Sequence, residues 1–494
     1  AELAHHFLQG AVWAQALTYS TLAGDQSADA YATTEAQAHY TQALHAATQL
    51  FPAPDARTIA QLHVKHAAVL VVLAAYDAAI TAYQQALALY RQAQDRRGVI
   101  EVFLGLSTVY TNAPHFGEPP ALDALAQALA EARALHDPAL QADCLARQVR
   151  LRTRGFGALP EATPDAEEAL RLAQGTGDAR LLAETSIALG RVLQWRGMVE
   201  HSLTYLRTGA TYAQHASAGF LFGMATFFLG IAQATQGAYE NALQSYTQLR
   251  TYATQAEDRY WIARVPNACG GLYLEFGAYP MARDCFNEAD ALAQQFGHWG
   301  EVRGHALVQR GLLALLQEEY GQAAADFAQA AALLETEIWM RWRWHMALLW
   351  GQGALALARR RHDEAWVFAT QALALATQTD SGKHIVRAHR LHGEIWAACG
   401  QYDQAVQAVQ ASVSLATQLQ LPLEVWRGQA TLGKILAAHG RVSEAALAYT
   451  QAQHLIEAMA TRLDDVQCRQ TFLSTASILD VYTALGHPLP RAIA

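Results

Sequence analysis

Apolar, small and polar positions recur in a fixed order along much of the chain. The stretches QGAYENALQSYTQL (236–249), FGAYPMARDCFNEA (276–289), EEYGQAAADFAQAA (318–331), CGQYDQAVQAVQAS (399–412) and HGRVSEAALAYTQA (439–452) share one pattern. Each has a turn residue, often an aromatic two further on, then alanine, and another small residue seven later. The alanine falls at Ala242, Ala282, Ala323, Ala365, Ala405 and Ala445, at intervals of 40, 41, 42, 40 and 40 residues. The same phase recovers Ala36, Ala79, Ala121, Ala162 and Ser202, so eleven copies cover nearly the whole chain. A second helix is expected ahead of each alanine, most often carrying a glycine: Gly190, Gly230, Gly270, Gly311, Gly353, Gly393 and Gly433. Small residues there let two helices approach closely, and aromatics such as Tyr246 and Tyr279 fill the spaces between them.

This periodicity resembles the tetratricopeptide repeat in a long form of about 40 residues, and the resemblance extends over roughly residues 31 to 460. It implies an all-α, right-handed superhelix, an α-solenoid in which each helix pair buries its apolar face against the next and the first helices line a concave groove. The expected organisation is N-terminal capping helices over 1–30, about eleven tandem helix pairs over 31–455, and C-terminal capping helices over 456–494. The stretch 112–120, NAPHFGEPP, expands one turn, because its prolines cannot continue a helix. The end of the chain predicts a longer final repeat helix, a break near Asp464 and one last amphipathic helix.

Composition agrees with a helical array. Hydrophobic residues make up 52% of 494, with only 13 prolines, and alanine and glutamine favour helix. The formal charge of -9 and the lack of long Lys/Arg runs argue against a surface that tracks a phosphate backbone, so no direct nucleic-acid contact is expected. The run Arg359–Arg361 falls at a helix corner. No apolar run is long enough to span a bilayer, and five cysteines without a CxxC pair suggest a reducing, cytoplasmic setting. The opening AELAHHFLQG, without an initiator Met, suggests a fragment of something longer.

Two terminal segments narrow the family. Residues 2–44 look like the junction that follows the ATPase and winged-helix part of bacterial signal-transduction ATPases with numerous domains. IEAMATRLDDVQCRQTFL (456–473) is similar to the ending of their tetratricopeptide sensor regions. That class includes the maltotriose-responsive transcription activator. The resemblance implies a repeat domain that binds an inducer or partner protein and controls the ATPase domain of the full-length protein, which this chain does not contain.

Several motifs admit plainer readings. GQATLGKI (428–435) satisfies a phosphate-loop spacing, but Gly433 is the repeat glycine in mid-helix and Ile435 stands where Ser or Thr would hold magnesium. His389 and His392 share a helix face without further ligands, so no metal is expected. No catalytic constellation or cofactor motif stands out, and a non-catalytic role follows.

The groove is the remaining candidate. With a phase borrowed from known repeats of this type, the positions ten, six and three before and one after each repeat glycine form the concave stripe. Over the last six copies, 24 such positions carry seven Lys or Arg and two Glu, a surplus of five positive charges in an acidic chain. Candidate ligand-binding residues are Tyr260, Arg264, Asn267, His305, Arg343, Trp350, Lys383, Arg387, Arg390, Arg427 and Lys434, with Trp261 and Trp344 at the groove edge. In EIWMRWRWHMALLW (337–350), Trp342 belongs to the stacking face, whereas Trp339 and Arg341 fall near the preceding loop. A groove of this charge should take a small anionic inducer, or a protein or peptide partner; the alternative is a general scaffold binding an extended peptide or helix. Charge reversal at Arg387 and Arg390 is expected to abolish binding and spare the fold.

Overall fold

The computed structural model describes all residues except 31, 114–116, 118, 156, 298, 338–339 and 489–494. The turn expected over 112–120 therefore lies partly outside the described residues, as does Trp339. The described residues form 25 helices and no strand. The first nine are α1 (Glu2–Gln9), α2 (Trp13–Asp29), α3 (Thr33–Thr48), α4 (Ala56–Val72), α5 (Tyr76–Gln92), α6 (Arg96–Asn112), α7 (Pro119–Ala134), α8 (Pro138–Arg154) and α9 (Leu159–Gln174). They are followed by α10 (Ala179–Arg196), α11 (Val199–His215), α12 (Gly219–Thr235), α13 (Tyr239–Gln255), α14 (Arg259–Glu275), α15 (Tyr279–Gln295), α16 (Gly300–Leu316) and α17 (Tyr320–Leu333). The last are α18 (Arg341–Ala358), α19 (His362–Gln378), α20 (Gly382–Ala398), α21 (Tyr402–Gln418), α22 (Pro422–Ala438), α23 (Val442–Ala460), α24 (Val466–Leu473) and α25 (Ala476–Leu485).

The chain divides into two compact units, residues 1–151 with 171–177, and residues 152–170 with 178–494. In the first unit α2 packs on α3, α4 on α5 and α6 on α7. A core of Ala36, Tyr40, Ala43, Leu62 and Val69 joins successive hairpins there. Tyr40 donates to Asp25, which also pairs with Lys65 at 2.8 Å.

In the second unit the hairpins run from α10/α11 to α22/α23. Within most of these pairs three residues join the helices, and the middle one is left-handed: Gly237, Gly277, Gly400 and Gly440, but also Glu318 and Arg360. Arg360 is the centre of the Arg359–Arg361 run, at a helix corner. The pairs close on their glycines. A Cβ on Gly270 would meet Phe286 at 2.5 Å, and one on Gly311 would meet Phe327 at 2.5 Å. In each case the ring comes from 16 residues later, on the second helix of the same pair. Gly190 with Leu206, Gly230 with Tyr246, Gly393 with Val409 and Gly433 with Tyr449 follow the same rule. Close-packed interiors tolerate no added methyl at such points.

The second unit also curls back on itself. Tyr239 and Phe276 share one apolar cluster with Leu423, Ile456, Leu463, Phe472, Val481 and Tyr482, residues about 200 apart in sequence. The backbone N–H of Asp465 donates to Glu240 at 2.7 Å, and Arg196 pairs with Asp380 at 2.6 Å. Instead of one last amphipathic helix the end is two short ones. Asp465 caps α24 by accepting from the Cys468 N–H, and the chain turns again at Ser474–Thr475.

Candidate ligand-binding cavity

The return of α22–α25 onto α12–α15 turns the expected open groove into a lumen. Its volume is about 1180 Å³, lined from α10, α12, α14, α16, α18, α20 and α22, with Ser477, Asp480 and Val481 of α25 on one side. Arg264, Asn267, His305, Arg343, Trp350, Lys383, Arg387, Arg390, Arg427 and Lys434 all line it. Tyr260, Trp261 and Trp344 do not.

The two edge tryptophans are corrected to core residues. Trp344 is 0% and Trp261 1% exposed. Trp344 lies on Gly304 of the preceding repeat, where a Cβ would approach its ring to 2.7 Å, and Trp261 lies on Gly223. Both stand nine residues before their own repeat glycine, the same register as Val302, also 1% exposed. That register faces the neighbouring repeat, so bulky residues there fill hollows left by glycine. Tyr260 is half-buried beneath Arg264, whose guanidinium carbon sits 3.6 Å from its ring centre. Trp342 is buried, donates its indole N–H to the Thr153 carbonyl at 3.1 Å and stacks edge-on against Trp195. Arg341 donates to the Leu334 carbonyl.

The charges of the wall are only partly free. Eight Lys or Arg and four Asp or Glu line the cavity, and Glu424 behind the wall is a fifth carboxylate, which leaves a surplus of three. Two carboxylates outside the predicted stripe do most of the neutralising. Glu424, 1% exposed, accepts from Arg387 Nε at 2.6 Å and Arg390 Nη1 at 3.0 Å. Glu275 at the end of α14 pairs with Arg427 at 2.7 Å and Arg387 at 3.3 Å, so two helices are tied to a third across the lumen. Burial alone raises the Glu424 carboxyl, but Arg387, Arg390 and Arg427 outweigh it and hold it well below the ordinary carboxylate range. The same balance, led by Arg427 and Arg387, lowers Glu275. Charge reversal at Arg387 and Arg390 therefore cannot spare the fold: it would set three carboxylates together in a buried site.

At the other side Arg264 donates to Glu301 at 2.7 Å and to the Tyr260 carbonyl at 3.0 Å. Asn267 donates to the Val302 carbonyl at 2.9 Å. Burial holds His305 down to about 4, neutral at physiological pH. Arg343 is 6% exposed, ringed by Trp195, Phe228 and Trp342 at 5.1, 5.9 and 5.5 Å, and burial lowers it to about 10, still charged at neutral pH. Its Nε and Nη2 have no hydrogen-bond partner among the described residues. Glu394, beside Lys434, is raised by burial.

No protein-family model matches the chain, and no curated protein matches it. Among solved structures it is similar to a Rap protein complexed with competence and sporulation factor, at 12% identity and TM-score 0.44, over 82% of this chain and 99% of that one. It is also similar to a chain of the APC/C hetero-tetramer Cut9-Hcn1, at 12% identity and TM-score 0.44, over 96% and 95%. A third is BtubC from P. vanneervenii, at 17% identity and TM-score 0.37, over 44% and 91%. The fold is a tetratricopeptide-type α-solenoid. At these identities nothing of the neighbours' ligands transfers to it.

Two features of the site escape the sequence phase. Trp195, Thr235, Glu275 and Leu316, each five residues after a repeat glycine, all face the lumen, so the wall runs one helical turn further than the stripe. Glu424 carried a signal: it occupies the register that holds Trp261, Val302 and Trp344 elsewhere. A carboxylate in a row of buried apolar residues requires cationic partners. Burial also pushes the Cys144 and Cys269 thiols up to about 12, so neither presents a thiolate near neutral pH. Among the described residues no group of His, Cys, Asp or Glu could hold a metal ion, and no helix is long and apolar enough to cross a membrane.

Proposed function

We propose that the second unit is a non-catalytic sensor, binding a small inducer or a short peptide segment in its lumen and regulating an ATPase domain of a larger bacterial protein. The observation that carries the binding part is a preformed lumen of about 1180 Å³ that keeps a surplus of three positive charges, Glu424 included, in a chain of net charge -9. Its size lies just above the usual range of small-molecule sites, roughly 300–1,000 Å³. The regulatory part is supported by the resemblance of residues 2–44 and 456–473 to the flanks of sensor regions in signal-transduction ATPases. A ligand seated there touches α14, α18, α20 and α22 together, and so favours the curled form over any opened one in proportion to its differential affinity.

Native mass spectrometry of the chain exposed to cell extract tests the binding reading. A retained small molecule or short peptide that is lost when Trp350 is replaced by Ala is the expected result. Retention of a folded protein, unaffected by that change, would turn the reading to a surface scaffold. The regulatory reading predicts a phosphate-binding loop and winged helix upstream in the complete reading frame, and their absence sinks it.

A further inference from the structure

Arg343 and Lys383 stand in one register, ten residues before Gly353 and Gly393, on the neighbouring helices α18 and α20, and both line the lumen. The neighbouring carboxylates are already committed: Glu301 to Arg264, Glu424 to Arg387 and Arg390, Glu275 to Arg427 and Arg387. Arg343 has no carboxylate partner among the described residues. Its Nη1 meets only the Met340 sulfur at 3.3 Å, while Nε and Nη2 are buried without any acceptor. Three aromatic rings fix the guanidinium, so little side-chain freedom is lost when an acceptor arrives.

Lys383 makes no hydrogen bond or ion pair among the described residues, and burial together with Arg387 brings its ammonium down to about 8. Lysine is scarce in this chain: of three, Lys65, Lys383 and Lys434, two line the lumen. An unpaired cation that is buried, as Arg343 is, or half-buried, as Lys383 is, is costly to keep, and an oxyanion that accepts from it removes that cost.

We propose that Arg343 and Lys383 form an anion subsite that takes the carboxylate or phosphate head of a small organic acid, with its apolar body against Trp350, Leu312 and Phe228. This rests on the lumen being a ligand site, and it assigns Arg387, Arg390 and Arg427 to holding the wall together. The lumen's apolar lining beside the subsite favours an acid with a hydrophobic body over a bare inorganic ion.

Three probes test it on the 494-residue chain by titration calorimetry: 1-naphthoate, 1-naphthyl phosphate and uncharged 1-naphthamide. At least one anion should bind tenfold or more tightly than the amide, and which one does separates carboxylate from phosphate recognition. Arg343→Met should remove that preference, whereas Arg441→Gln, at an exposed pair with Glu444, should keep it. Acetylation of the wild-type chain followed by peptide mapping gives a second readout: the winning anion should shield Lys383 several-fold and leave Lys65 unshielded. The inference fails if the amide binds as well as both anions, if Arg343→Met keeps the preference, or if no probe binds at millimolar concentration. If Arg343→Met does not fold, an anion that leaves Lys383 unshielded is sufficient to overturn it. Equal binding of all three probes with Lys383 shielded would discard the anion subsite and leave the lumen as a binding site.

Discussion

Replacing Glu424 by Gln isolates the buried charge network from the shape of the wall. The substitution keeps the volume and one acceptor oxygen but removes the charge that Arg387 and Arg390 share at 2.6 and 3.0 Å. Removing one partner of a buried pair costs about 3–5 kcal/mol. Arg387 retains Glu275 and Gln retains a hydrogen bond, which puts this case near the low end, about 3 kcal/mol. The second unit has about 340 residues, and at roughly 2.1 cal/mol/K per residue its unfolding entropy is about 0.7 kcal/mol/K, so the melting temperature should fall by about 4 °C. The acid limb provides an independent check. A carboxyl held below its unfolded value of about 4.3 contributes stability that is complete above that pH and is lost as pH falls toward the folded value. Urea unfolding at pH 7 and at pH 3 should therefore show wild type losing more stability than Glu424→Gln. A melting shift under about 1 °C with an unchanged acid limb would refute the account, because it would mean that the arginines do not depend on Glu424.

Trp342→Ala empties a buried site against Trp195 and the Thr153 carbonyl and should cost about 3–5 kcal/mol, measured by urea unfolding. Trp350→Ala, at the half-buried lumen wall, should leave the melting temperature much nearer wild type. Gly304→Val would drive side-chain atoms into the Trp344 ring and should destabilise by more than about 1 kcal/mol, with a blue or red shift in tryptophan emission as the ring moves. His305, lowered by burial to about 4 from an unfolded value near 6.5, lends stability that is complete above pH 6.5 and fades as pH falls through 4. His305→Gln should accordingly flatten the stability profile between those pH values. Arg387→Glu combined with Arg390→Glu should abolish the cooperative melt or lower it severely, since both face Glu424 in a buried site.

The sequence by itself determined the periodic part of this protein. Alanine and glycine at fixed register cannot serve two different helix pairings, so the copies from Gly190 to Gly433 and the turns between them could be read from spacing, whereas the ten proposed residues that line the lumen needed a phase borrowed from known repeats. Register relative to a residue's own glycine says which way a side chain leaves its helix, but not what the neighbouring helix offers it. Trp261 and Trp344 were therefore placed at an edge, while Gly223 and Gly304 in the preceding repeats drew them into the core. The curl of the second unit was illegible for a related reason. Small rotations per repeat add over seven hairpins, and only their sum brings Tyr239 against Phe472 and Glu275 against Arg427. That closure decided the chemistry. It turned a groove into a lumen and set Glu275 against Arg387 and Arg427, while Arg343 and Lys383 keep no ion-pair partner among the described residues.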